Sequence, residues 1–89
     1  MKKQFTITTT EGLHARPSTL LVQAVIPYTS EVQLSYNGRT VNLKSIMGVM
    51  SLGVPSGSTI TISSDGADAE KLLEKVATVM TTEGIGLEC

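Results

Sequence analysis

Gly12-Leu13-His14-Ala15-Arg16-Pro17-Ser18 is the stretch at which this chain passes from strand to helix, and it holds the only histidine in 89 residues. Upstream, Phe5-Thr6-Ile7-Thr8 alternates apolar and polar residues as a half-buried strand does, and Thr9, Thr10, Glu11 and Gly12 break the alternation. Downstream, Pro17 suits the first turn of a helix, where its missing N–H costs nothing, and Leu20, Leu21, Ala24 and Val25 follow at helical spacing. This predicts a strand over residues 3–8, a loop over 9–15 and a helix from about Arg16 to Ile26 that Pro27 ends. His14 and Arg16 then stand at the start of a helix whose free backbone N–H groups attract anions. An imidazole able to act as a nucleophile, a guanidinium matched to phosphate oxygens and that helix end make a plausible phosphoryl site.

The next elements follow by the same rules. Val32, Leu34 and Tyr36 alternate with Gln33 and Ser35, and Asn37-Gly38 is a type I′ hairpin signal because both positions need positive φ. A two-residue turn there sets Val32 opposite Leu43, Leu34 opposite Val41 and Tyr36 opposite Arg39, which puts the apolar residues of both strands on one face. Ser45 can cap a short helix over Ile46 to Leu52, with Gly53 as its stop. Thr59-Ile60-Thr61-Ile62-Ser63 reads as a fourth strand. Asp68 is placed to cap a last helix whose Ala69, Leu72, Leu73, Val76 and Met80 form one apolar stripe, closed by Gly84 and Gly86. The order is βαββαβα. One apolar sheet face under helices with one apolar stripe each predicts an α+β, two-layer, open-faced sandwich, a single domain over 1–89. Pattern alone does not choose the strand order.

Composition narrows the function. Net charge is −1, so no global basic field favours nucleic acid. Charge is uneven, however: residues 12–46 carry Arg16, Arg39 and Lys44 against Glu31, whereas residues 65–88 carry six acids against Lys71 and Lys75. The element order also describes RNA binders of ferredoxin-like form, but the only aromatics are Phe5, Tyr28 and Tyr36, outside any basic aromatic strand signature. One histidine with no evident carboxylate orienter and no nearby cysteine argues against a histidine-centred hydrolase, and the same shortage of ligands argues against a metal site. Cys89 is the sole cysteine, so no intrachain disulfide forms. No segment has the ~18 apolar residues of a membrane span, and Gln4 to Glu11 is a threonine-rich alternation rather than a signal-peptide core. A cytoplasmic protein without membrane insertion is expected.

Gly12-Leu13-His14-Ala15-Arg16-Pro17 resembles the phosphorylation-site motif of the HPr family, the histidine phosphocarriers of the bacterial phosphoenolpyruvate–sugar phosphotransferase system. Asn42-Leu43-Lys44-Ser45-Ile46-Met47-Gly48-Val49-Met50-Ser51-Leu52-Gly53 resembles the regulatory serine segment of its Gram-positive type. The resemblance implies a four-stranded antiparallel sheet in order 1-4-2-3 with three helices on one face. It implies a carrier rather than an enzyme, with no cofactor and as a monomer. His14 would take a phosphoryl group on Nδ1 from Enzyme I and pass it to the IIA domains of sugar permeases. Arg16 would hold the phosphate, and Ala15, Pro17 and Ser18 would form the helix start that steadies it. Ser45 would be phosphorylated by HPr kinase/phosphorylase, repelling Enzyme I and engaging the catabolite control repressor. Thr19, Leu20, Gln23, Ile46, Met47 and Met50 would form the surface that partners cover, with Val49 and Leu52 kept in the core. A regulatory-only relative acting through Ser45 is the alternative, but such relatives replace the active histidine and His14 is present. Ala24-Val25-Ile26-Pro27-Tyr28 departs from the family pattern by lacking a basic residue, which implies slower association with acidic partners. Ser18 stands where the family most often has alanine.

Overall fold

The strand-to-helix handover forms where the sequence places it. In the computed structural model, which describes all 89 residues, β1 spans Lys2–Ile7 and α1 spans Ala15–Val25. They are followed by β2 (Glu31–Tyr36), β3 (Arg39–Asn42), α2 (Ile46–Ser51), β4 (Thr59–Asp65), α3 (Ala69–Thr82) and β5 (Gly86–Glu88). The sheet is antiparallel throughout, in the order β3-β2-β4-β1-β5.

The hairpin register is the one that turn chemistry dictates. Asn37 and Gly38 have φ of +50° and +79°, and the turn sets Leu34 against Val41 and Tyr36 against Arg39. Leu43 continues the match by donating its N–H to the Val32 carbonyl at 3.0 Å. Consequently Val32, Leu34, Phe5, Ile7, Ile60 and Ile62 all point to one side, where Leu21, Val25, Val49, Leu72, Val76 and Met80 meet them in one buried cluster. Full burial of each large aliphatic or aromatic side chain contributes roughly 1.5–3 kcal/mol. Gln4, Gln33 and Thr61, on the opposite face, remain partly or fully exposed.

Three details differ from the sequence reading. First, the expected 1-4-2-3 sheet carries a fifth strand: Gly86–Glu88, taken as part of the helix stop, pairs with β1 in the register Thr6↔Leu87. Three residues are too few for alternation to declare itself. Second, α1 begins and ends one residue early, at Ala15 and Val25, so Pro17 is its third residue rather than its second. The third position is still among those whose N–H has no intrahelical partner, so the proline remains without cost. Third, Asp68 precedes α3 but its side chain does not cap that helix.

The Asp68 carboxylate instead ties the loop after α1 to the start of α3. It accepts hydrogen bonds from the Ser30 hydroxyl, the Ser30 N–H at 2.9 Å, the Thr29 N–H at 2.8 Å and the Thr29 hydroxyl at 3.2 Å. These bonds, the Ser30 hydroxyl's above all, hold its pKa well below the usual carboxylate range. A depressed folded-state pKa means that the stabilisation is complete above the unfolded value and is lost as pH falls towards the folded one. Melting temperature should therefore drop from about pH 4 downward in wild type, and Asp68→Asn should flatten that acid limb while lowering the plateau at neutral pH. Parallel acid limbs in the two proteins, followed by circular dichroism, would show that Asp68 does not carry the effect.

Candidate functional site

The loop that carries His14 is pinned before it reaches the helix. Gly12 donates its N–H to the Thr9 carbonyl at 3.0 Å and Leu13 donates to Val54 O at 2.9 Å. Gly12 sits at φ +73° with its Cα so close to the chain after α2 that an added Cβ would lie 2.2 Å from Val54 O. No other residue type fits there. Leu13 is buried beneath the loop, and the chain emerges at His14 in extended conformation as the N-cap of α1.

His14 is half-exposed and its imidazole makes no hydrogen bond; no ring nitrogen is spent on capping the helix. The N–H groups of Ala15 and Arg16, first in α1, have no intrahelical acceptor, and Pro17 has no N–H to offer. They face the positive end of the helix dipole, a favourable setting for an anion worth about 0.3–1 kcal/mol at an exposed site. The Arg16 guanidinium is largely exposed and leans towards Glu83 at the end of α3, 3.8 Å away. An exposed pair of that kind contributes about 0–1 kcal/mol, so it leaves Arg16 free to turn to a phosphate.

Ser18 is not aimed at such an anion. Its side chain is fully buried, its hydroxyl donates to Leu13 O at 3.1 Å, and its N–H donates to His14 O at 3.1 Å. Its role is to lock the helix start. In the expected helix start Ser18 is therefore a structural residue, with neither its hydroxyl nor its N–H left to donate.

Ser45 caps α2, its Oγ accepting the Gly48 N–H at 3.0 Å. Its neighbour Lys44 donates from Nζ to the Tyr28 carbonyl at 2.7 Å, just beyond the C-terminal end of α1. Val49 and Leu52 of the same segment are buried, whereas Ile46, Met47 and Met50 are exposed, Met47 by 81%. Gln23 is exposed on α1, Leu20 packs partly against the core, and the Thr19 hydroxyl is turned back to Ala15 O at 2.8 Å. Met50 shares with His14 the rim of a shallow depression, so the apolar surface and the histidine belong to one face.

The sequence reading missed the two acids that flank the site. Glu83 reaches Arg16 from the far end of the chain, a contact no local pattern signals. Glu11 brings its Oε1 to 3.8 Å from His14 Nε2, which supplies the carboxylate neighbour that the sequence reading did not find. The signal for Glu11 was present as a Glu-x-x-His spacing inside a turn.

The fold is shared with solved structures of histidine phosphocarriers. A histidine-containing phosphocarrier protein of Mycoplasma superposes with a TM-score of 0.93 at 34% identity, over 97% of this chain and 98% of that one. The HPr phosphocarrier of Bacillus anthracis superposes with a TM-score of 0.82 at 42% identity, over 89% and 94%. Crh, the catabolite repression HPr of Bacillus subtilis, matches at 44% identity and a TM-score of 0.73 over 83% and 85%, and was seen as a dimer with a swapped domain. Fold and site thus define the class, the phosphocarriers of the phosphotransferase system. The family model for the HPr component phosphorylation site of that system matches residues 1–82, and the chain belongs to the HPr family. No helix is long and apolar enough to cross a membrane.

Proposed function

We propose that this protein carries a phosphoryl group on His14 Nδ1, received from Enzyme I and passed to the IIA domains of sugar permeases, in the cytoplasm, as a single-domain monomer without a cofactor. The observation that supports this most is a half-exposed imidazole, free of hydrogen bonds, at a helix start where two N–H groups are unengaged and Arg16 is held only by an exposed ion pair. The neutral ring attacks phosphorus, and the charge-assisted bonds from Ala15, Arg16 and its guanidinium then hold the oxygens. Their modest strength suits a carrier, which must release what it captures. Intact mass after incubation with phosphoenolpyruvate and Enzyme I tests the reading. One added phosphoryl group, lost on acid treatment, is expected; no uptake by folded protein refutes it.

Ser45 is proposed as the regulatory site, phosphorylated by HPr kinase/phosphorylase and then recognised by the catabolite control repressor. Thr19, Leu20, Gln23, Ile46, Met47 and Met50 form the docking face in this reading, with the methionines adapting to several partners. A phosphate at the start of α2 adds about −1.5 to −2 charges to that face. The Ser45→Asp protein should accept phosphate from Enzyme I about tenfold or more slowly at low salt, with the gap closing as salt rises. Equal rates would remove repulsion as the mode of regulation. The 44% identity with Crh favours a second reading, a regulator working through Ser45 alone. In that case the phosphate would come only from the kinase and would survive acid.

A further inference from the structure

The phosphocarrier reading leaves Glu11 without a role, although it is the one acid within 4.0 Å of the His14 imidazole. Its placement is not loose. The Gly12, Leu13 and His14 N–H groups are all bonded, to Thr9 O, Val54 O and Gly12 O, at 2.9–3.0 Å, so the backbone between the two side chains is tied at every step. Arg16, also at the helix start, is turned to Glu83 instead. Glu11 therefore has His14 as its partner, and it approaches the ring on the Nε2 side.

A neutral imidazole carries its proton on one nitrogen and its lone pair on the other, and a negative charge beside one nitrogen favours the proton there. We propose that Glu11 is a positioning residue for phosphoryl transfer, a role that rests on the phosphocarrier reading above. Its carboxylate, 3.8 Å from Nε2 and beyond hydrogen-bond reach, favours the proton on Nε2 through its charge, which leaves Nδ1 as the bare nucleophile. When Nδ1 donates its lone pair to phosphorus, the bond from phosphorus to the donor atom breaks and that atom keeps the electron pair. The ring retains its Nε2–H and gains a positive charge, which the Glu11 anion offsets across the ring from the phosphate. On release, the N–P electron pair returns to Nδ1 and the charge disappears. Glu11 thus acts where charge develops, through space rather than through a hydrogen bond.

The test uses the full chain as wild type, Glu11→Gln and Glu11→Ala, which should fold alike because the Glu11 side chain is 78% exposed. Nitrogen-15 NMR of the imidazole in alkaline solution reports the tautomer. Wild type should show a protonated Nε2 and a bare Nδ1 with well-separated shifts, and both Glu11→Ala and Glu11→Gln, which lack the charge, should narrow that separation. Phosphorylation by Enzyme I at low salt should slow about two- to fivefold in both variants, since both lose the charge. The same shifts and rates in all three proteins would overturn the proposal and mark the contact as a solvated surface pair. A tautomer difference in protein that takes up no phosphate would overturn the carrier reading, and the role of Glu11 in transfer with it.

Discussion

The His14→Ala protein is expected to melt at the wild-type temperature and to gain no mass on incubation with phosphoenolpyruvate and Enzyme I. Both halves follow from the geometry. The imidazole is half-exposed, caps nothing and makes no hydrogen bond, so its removal orphans no donor. Substitutions at such positions stay within about 0.5 kcal/mol. The chemistry, by contrast, has no substitute: His14 is the sole histidine, and neither a serine hydroxyl nor an arginine beside it is a nucleophile at neutral pH without an activating base. Loss of uptake should be complete rather than partial. Phosphate that still appears and resists acid would move the working site to Ser45, and a large fall in melting temperature would show that His14 contributes to the fold in a way the structure does not reveal.

The second large effect comes from a residue with no side chain. Gly12→Ala forces a Cβ against the Val54 carbonyl at a φ of +73°, where L residues are already strained by roughly 1–2 kcal/mol. Relief requires the loop to lift from the segment after α2, which breaks the 2.9 Å bond from Leu13 N–H to Val54 O. The combined cost should be about 3 kcal/mol or more, a fall in melting temperature of roughly 12 °C or more for a domain of this size. The folded fraction should also transfer phosphate poorly. Lifting the loop displaces His14 from the helix start, and misplacement by about an ångström costs on the order of a hundredfold. Assay well below the melting temperature separates the two losses. A Gly12→Ala protein of wild-type stability and rate would mean that the contact with Val54 does not set the histidine. Compared with His14→Ala, it distinguishes losing the nucleophile from losing its position.

How far the sequence foretold these results depended on the range of the interaction. The β2–β3 register was legible because Asn37-Gly38 admits one turn type and the apolar pattern agrees with it. His14 at the head of α1 was legible from Pro17 and the spacing of Leu20, Leu21, Ala24 and Val25, and the family motif supplied what the pattern could not, the strand order. The Asp68 side chain misled because an aspartate before a helix usually serves that helix, yet here Thr29 and Ser30, far away in sequence, offer four donors to it. Glu83 and β5 escaped for a related reason. Each is defined by a partner near the other end of the chain, Arg16 for one and β1 for the other, and neither carries enough local pattern to announce it.

The fifth strand has a consequence for how copies of this protein behave in concentrated solution. Without it, β1 would be an outer strand: six residues presenting an unpaired row of backbone donors and acceptors, the kind of template on which chains aggregate. Gly86–Glu88 occupies half of that row, and Glu88 pairs with Lys3 at 3.0 Å to set opposite charges along the new rim. The strand left outermost is three residues long, too short to seed a stable ladder with a neighbour. A short tail with no part in the chemistry thereby keeps the strand that leads to His14 from being recruited by another molecule.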